Sequence, residues 1–159
     1  MEKTKLKEYT ARVAQANPSE LIVIIYELFF DSLDQGEQAY SEERVEEANA
    51  HIEKAKAYLQ ELMGSLDHKY EISKQLSALY RYVYQQLIMT VVRCKPENFE
   101  SVREVMGKLK IAFEEVAKKD NSSAVDENAR QLYAGLTYGK GSLNEVFMGA
   151  YEYHGGFKA

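Results

Sequence analysis

Two prolines, Pro18 and Pro96, are all that interrupt a chain of 159 residues. Proline breaks a helix interior, so its near absence leaves long stretches free to be helical. Apolar residues recur through those stretches at steps of three and four, and no alternating strand pattern competes. Six of the nine glycines fall after Asp126, so composition divides the chain near residue 120.

Asn17-Pro18-Ser19-Glu20 has the makings of a helix start. Asn17 can cap, Pro18 fits the first helical position, and Glu20 can reach back as in a capping box. The run LIVIIYELFFDSL that follows is apolar on nearly every side, with Leu21, Ile22, Ile25, Leu28, Phe29 and Leu33 as its main stripe, and such a helix must be covered almost all round. A second helix is expected from Ser41, where Ser-Glu-Glu offers a cap and two acids. Its seam is Val45, Ala48, Ile52, Ala55, Leu59, Leu62 and Leu66. A third carries Ile72, Leu76, Leu79, Val83, Leu87 and Val91 on one face, flanked by Tyr80, Tyr84 and Ile88, and ends at Arg93-Cys94-Lys95-Pro96. A fourth is expected from about Glu97 to Lys118, with Phe99, Val102, Val105, Met106, Leu109, Ala112, Phe113 and Val116 inward. The expected fold is all-α: an antiparallel four-helix bundle over residues 17–120. A short helical N-terminal segment over 1–16, with Leu6, Tyr9 and Val13 on one face, either docks on the bundle or stays mobile. A C-terminal extension rich in Gly and Tyr covers 121–159.

The length suits one domain that buries roughly 70% of its unfolded surface without disulfide or metal staples. Its single cysteine fits a reducing compartment and excludes both a secreted disulfide scaffold and a thiolate zinc cluster. A net charge of −5 argues against general binding to phosphate backbones, so no nucleic-acid partner is expected. Nowhere do eighteen apolar residues run together, and the first residues lack a signal-peptide pattern; no membrane span is expected.

Catalytic chemistry is hard to assemble from this sequence. A bundle that holds two iron ions needs Glu-x-x-His pairs, but Ala48 stands three residues before His51, and Glu47 stands four before it. His68 and His154 have no carboxylate at ligand spacing. Cys94 lies between Arg93 and Lys95, yet a helix C-terminus disfavours a thiolate. Phosphate-cradling glycine loops and Gly-x-Ser-x-Gly elbows are absent. The expectation is a protein without enzymatic activity, metal site or cofactor. The surplus lies in apolar surface: the first and third helices carry more than one stripe. Either the terminal segments cover it, or it forms a groove for another chain's helix, read through anchors three or four residues apart.

The residues at this point resemble the family of the flagellar secretion chaperone FliS, from about Tyr9 to Lys119. The likeness is carried by Tyr9, by Asn17-Pro18-Ser19-Glu20-Leu21 with Ile25-Tyr26, and by Ile52-Glu53-Lys54-Ala55 with Leu59, Glu61 and Leu62. Leu76, Leu79-Tyr80-Arg81-Tyr82, Leu87 and Phe113-Glu114-Glu115 continue it. Leu28 stands where many members have glycine, and Phe113 where many have tryptophan. The resemblance implies a cytoplasmic export chaperone that binds the C-terminal segment of flagellin in apolar grooves, prevents its premature polymerisation and delivers it for flagellar export. Other flagellar export components are further expected partners. The alternative is a helical adaptor or regulator that binds another flagellar protein. The binding surface is expected on Ile25, Tyr26 and Phe29 of the first helix and Leu79, Tyr80, Val83, Tyr84 and Leu87 of the third. Tyr9 and Val13 match the family's N-terminal region, which covers a client pocket until displaced.

Beyond Asp126 the resemblance ends. Val125, Ala129, Leu132 and Tyr133 have helical spacing, Gly135, Gly139 and Gly141 loosen the chain, and Leu143, Val146, Phe147, Ala150 and Tyr151 form a second short run. Two such pieces read as a ligand for an apolar groove, in the same chain or, by self-association, in a neighbour.

Overall fold

The computed structural model describes residues 3–120, and within them every regular element is an α-helix. The order is α1 (Lys3–Gln15), α2 (Pro18–Ser41), α3 (Val45–Gly64), α4 (Glu71–Arg93) and α5 (Phe99–Lys119). The glycine- and tyrosine-rich extension over 121–159, with its two amphipathic runs, lies outside the described residues. The chain forms two compact units. Residues 26–109 make one, and among the described residues 3–25 and 110–120 belong to the other.

In the unit of residues 26–109, the helices form a bundle. Short connections reverse the chain between α2, α3, α4 and α5, and the side chains that meet confirm the direction. Gly36 and Tyr40 of α2 meet Ile52 and Asn49 of α3, in descending order. Gln60 and Asn49 of α3 meet Tyr84 of α4 and Cys94 just beyond its end. Tyr82 and Gln86 of α4 meet Ser101 and Asn98 at the start of α5. Each rise in number on one helix is a fall on the next, as antiparallel neighbours require. α2 also reaches α4 through Tyr26 and Tyr80, and α5 through Asp34 and Glu37 with Arg103. It is the central helix expected of its all-round apolar sequence: Tyr26, Leu28, Phe29 and Leu33 are buried.

Three expectations are corrected between α2 and α5. Ser41 does not start a helix; it ends α2, its hydroxyl donating to the Gln38 carbonyl at 2.6 Å. The backbone then turns through Glu43 in the left-handed region, and α3 begins at Val45 with Glu46 and Glu47 in its first turn. Val45, at that exposed start, is the one member of the α3 seam not buried; Ala48, Ile52, Ala55, Leu59, Leu62 and Leu66 all are. The last helix begins at Phe99, not Glu97, because residues 94–98 close α4 first. Cys94 and Asn98 both adopt left-handed backbone, the Lys95 amide donates to the Thr90 carbonyl at 3.2 Å, and the Glu97 amide donates to the buried Thr90 hydroxyl at 3.1 Å. The third correction is on α4, where the buried face runs Ser73, Tyr80, Val83, Leu87 and Thr90, leaving Ile72 exposed.

The other unit is held at the start of α2. The Glu20 amide donates to Asn17 Oδ1 at 2.8 Å, and the Asn17 amide donates to Glu20 Oε1 at 3.4 Å, the reciprocal pair of a capping box. Asn17, itself buried, also donates from Nδ2 to the Asp120 carbonyl at 3.1 Å, and the Ser19 hydroxyl donates to Asp120 Oδ2 at 2.6 Å. Asp120, which in sequence looks like part of a polar stop, ties the end of α5 to the start of α2. On α1, Val13 is buried and Leu6 and Tyr9 are half-buried. Toward its end α5 departs from the expected inward face: Ala112 and Val116 are exposed, as is Ile111, while Phe113 is half-buried.

Candidate functional site

α4 has 23 residues and makes three kinds of surface. Its buried seam packs on α3 and reaches α2 at Tyr80. A helix turns 3.6 residues at a time, so Ile72 and Leu79, seven apart, share one flank of that seam. Ile88 and Val92 lie on the opposite flank, since Ile88 is about two and a half turns beyond Leu79. All four are exposed, Val92 most of all at 71%. Large apolar side chains therefore line both edges of a helix whose core face is already filled.

At the centre of the seam, the Tyr26 and Tyr80 hydroxyls lie 2.6 Å apart in the buried core. Burial raises both phenols above their ordinary value, because ionisation would strand a phenolate away from water; for Tyr26, the more strongly raised, the neighbouring phenol adds to the effect, whereas for Tyr80 the hydrogen bond from Tyr26 opposes it. Both are neutral at any physiological pH, and each satisfies polar valence that the core would otherwise leave unpaired. Tyr84, one turn beyond Tyr80, is half-buried and looks toward α3: Gln60 Nε2 donates to its hydroxyl at 3.2 Å, and the Lys56 ammonium sits 5.5 Å from the ring centre.

The expected binding residues therefore separate by depth. Tyr26, Phe29, Tyr80, Val83 and Leu87 are core side chains of residues 26–109, and Ile25 and Val13 are buried in the other unit. Leu79 and Tyr84 reach the surface, and Tyr9 is half-buried with the Arg12 guanidinium 5.5 Å from its ring. Tyr26 and Tyr80 are brought into direct contact. Sequence reasoning missed Gln60 and Lys56, four residues apart on α3, which hold Tyr84; a shared helical face was the available signal. It also missed the exposure of Val92. Leu28, the residue in place of a family glycine, is buried.

His51 sits a turn beyond Glu47, its Nε2 3.9 Å from Glu47 Oε1, and burial with Lys54 nearby holds its pKa below the usual imidazole value. Among the described residues no three His, Cys, Asp or Glu side chains gather as metal ligands would. Among them, too, no helix is long and apolar enough to cross a membrane. The arrangement offers apolar anchors and wet phenols, the chemistry of helix recognition.

The model of the family described as flagellar protein FliS matches residues 2–120. The flagellar secretion chaperone FliS of Bacillus subtilis (strain 168) is 28% identical over 81 residues, which span 51% of this chain and 61% of that protein. The matched part is thus less than two thirds of the relative's length.

Proposed function

This chain belongs to the FliS family, and from that premise we propose that it is a cytoplasmic export chaperone that binds the C-terminal segment of flagellin, blocks its premature polymerisation and delivers it for export. The observation that carries the reading is α4, with a filled core face and apolar side chains left on both flanks. A soluble bundle gains nothing in its own stability from exposed Ile72, Leu79, Ile88 and Val92, whereas an amphipathic client helix can bury them. Leu79 and Tyr84 contact the client, while Tyr26, Phe29, Tyr80, Val83 and Leu87, with Ile25, shape the helices that present them. Tyr9 and Val13 on α1 act as a displaceable cover.

Titration with a synthetic peptide of the flagellin C-terminal segment tests this by binding heat and helicity gain. Tight binding with a negative heat-capacity change is expected, since ordering a segment on apolar grooves buries much surface. Leu79→Glu should weaken it by about tenfold, since it removes the apolar contact of the exposed part of Leu79 and sets an unpaired carboxylate against the client. Tyr9→Ala should change both peptide affinity and protease sensitivity of α1; no change in either removes the cover. Absence of binding overturns the chaperone reading in favour of an adaptor for another flagellar protein.

A further inference from the structure

α5 runs unbroken from Phe99 to Lys119, so the residues that share its outer face are set by the helix's own winding. Phe99, Val102 and Met106 hold the buried side. On the opposite side Glu104, Lys108, Ile111, Glu115 and Lys119 follow one another at steps of four, three, four and four, and all are exposed, Ile111 at 63%. Ala112 is exposed beside Ile111, and Val116, 52% exposed, lies one turn beyond Ala112 on the same flank. Gly107, a turn before Ile111, has open space where a side chain would stand. Within the chain the charges on this face make local pairs, Lys108 with Glu104 at 3.2 Å and Lys118 with Glu115 at 3.0 Å, each largely open to water.

The order of these residues is self-complementary. When a second α5 is laid antiparallel against the first, with the two-fold axis at the gap between Ile111 and Ala112, residues equally far before and after that gap come level. Lys108 then meets Glu115 of the second copy, Glu104 meets its Lys119, and the symmetry repeats both pairs, so opposite charges face each other on either side of the centre. Ile111 packs on its own counterpart on one side of the axis, and Ala112 on its counterpart on the other, where the small side chains leave the backbones room to approach. An in-register parallel pairing would instead set every charge on the face against its like. An apolar centre with a charged rim is the ordinary make-up of a protein interface.

We propose that the outer face of α5 is a docking surface for a second copy of this chain, paired antiparallel about Ile111 and Ala112. The proposal is independent of the flagellin reading, which uses α4. One pair of helices is a small interface, so the dimer is weak and reversible, with a Kd on the order of 0.1 mM. Sedimentation equilibrium of the full chain from about 10 μM to 1 mM should follow a monomer–dimer equilibrium, and the dimer should weaken as salt is raised, because the bridges across it are exposed. Ile111→Glu, at an exposed position, should leave a monomer of unchanged helicity by circular dichroism. Lys108→Glu and Glu115→Lys each set like charges against each other and should weaken the dimer at least about tenfold, whereas the double variant restores opposite charges across the axis and should return it to within about threefold of the wild type. In a Cys94→Ser background, Ile111→Cys should form a disulfide-linked dimer under mild oxidation. A chain monomeric at every concentration, a dimer untouched by Ile111→Glu, or charge reversals that the double variant does not rescue would overturn the proposal. So would a monomer whose affinity for the flagellin peptide falls with Ile111→Glu, which assigns the face to the client.

Discussion

Gly36 on α2 faces Ile52 and Ala48 of α3 with no room for a methyl group. A methyl group built on its backbone would lie 2.6 Å from Ile52 Cδ1, 3.1 Å from Ile52 Cγ1 and 3.5 Å from the Ala48 carbonyl oxygen. Carbon atoms at rest sit about 3.5–4.0 Å apart, so the first contact overlaps by about 1 Å. Ile52 is fully buried and cannot swing into water. Overpacking of this kind costs about 1–3 kcal/mol, and the helix propensity gained by replacing glycine with alanine, about 1 kcal/mol, offsets only part. Gly36→Ala should therefore lower stability by up to about 2 kcal/mol. Ile52→Val deletes Cδ1, the offending atom, and alone should cost about 0.5–1.5 kcal/mol for the lost methyl. Together the two changes exchange one methyl for another in the same space. The double variant should lie near the wild type, with a coupling of about 1–2 kcal/mol, far above the ~0.5 kcal/mol scatter of independent sites. Urea unfolding followed by far-ultraviolet circular dichroism measures all four corners of the cycle. Additive losses, or a stabilised Gly36→Ala, would refute the close approach of α2 to α3 at this point.

Other expectations follow from the buried polar groups. Tyr26→Phe leaves the Tyr80 hydroxyl without its partner and should cost about 1–3 kcal/mol, whereas Tyr26→Phe with Tyr80→Phe should cost less than Tyr26→Phe alone; equilibrium unfolding decides. Three phenols are raised on folding above the ordinary value of 10.0: Tyr26, Tyr80 and Tyr40, the last pushed up to about 12, first by burial. The unfolded chain releases these protons first, so their contribution is whole below pH 10 and is lost as pH rises through the folded values. Stability should therefore fall as pH rises above 10, by at most about 1.4 kcal/mol per pH unit for Tyr26 and in the same direction for Tyr80, with Tyr40 adding less because it is more exposed. Denaturant midpoints measured from pH 9 to 12 test the slope, and the Phe pair should flatten it. Asn17→Ala removes the cap and the tie to Asp120, and should cost about 1–2 kcal/mol by thermal unfolding.

The helices were legible because their signals are local. Asn17, Pro18 and Glu20 act within one turn of chain, and the structure has the capping box they announce. The α3 seam was legible for the same reason: steps of three and four fix a face whatever lies opposite. Ser41 misled because a serine before two acids suits a cap, but its hydroxyl found the Gln38 carbonyl behind it, and it ends α2 instead. Asp120 could not be foreseen, since its bonds to Asn17 and Ser19 span about a hundred residues of sequence. The exposure of Val116 follows the same rule. Periodicity tells which residues share a face, and it does not tell whether anything arrives to cover that face.

The tyrosines show the limit most clearly. A phenol is apolar in its ring and polar at its tip, so sequence allows it either in a groove with its hydroxyl wet or in the core with its hydroxyl paired. Tyr80 and Tyr84, four apart on α4, take these two courses. The deciding difference is whether a partner group waits on the neighbouring helix at the right height. Tyr80 meets the Tyr26 hydroxyl on the central helix and is sealed in, while Tyr84 meets the amide of Gln60 and the ammonium of Lys56 on α3, both at the margin of the bundle, and keeps contact with water. The first arrangement fixes the helices of the bundle, and the second leaves an aromatic edge beside exposed Ile88 for another chain to use.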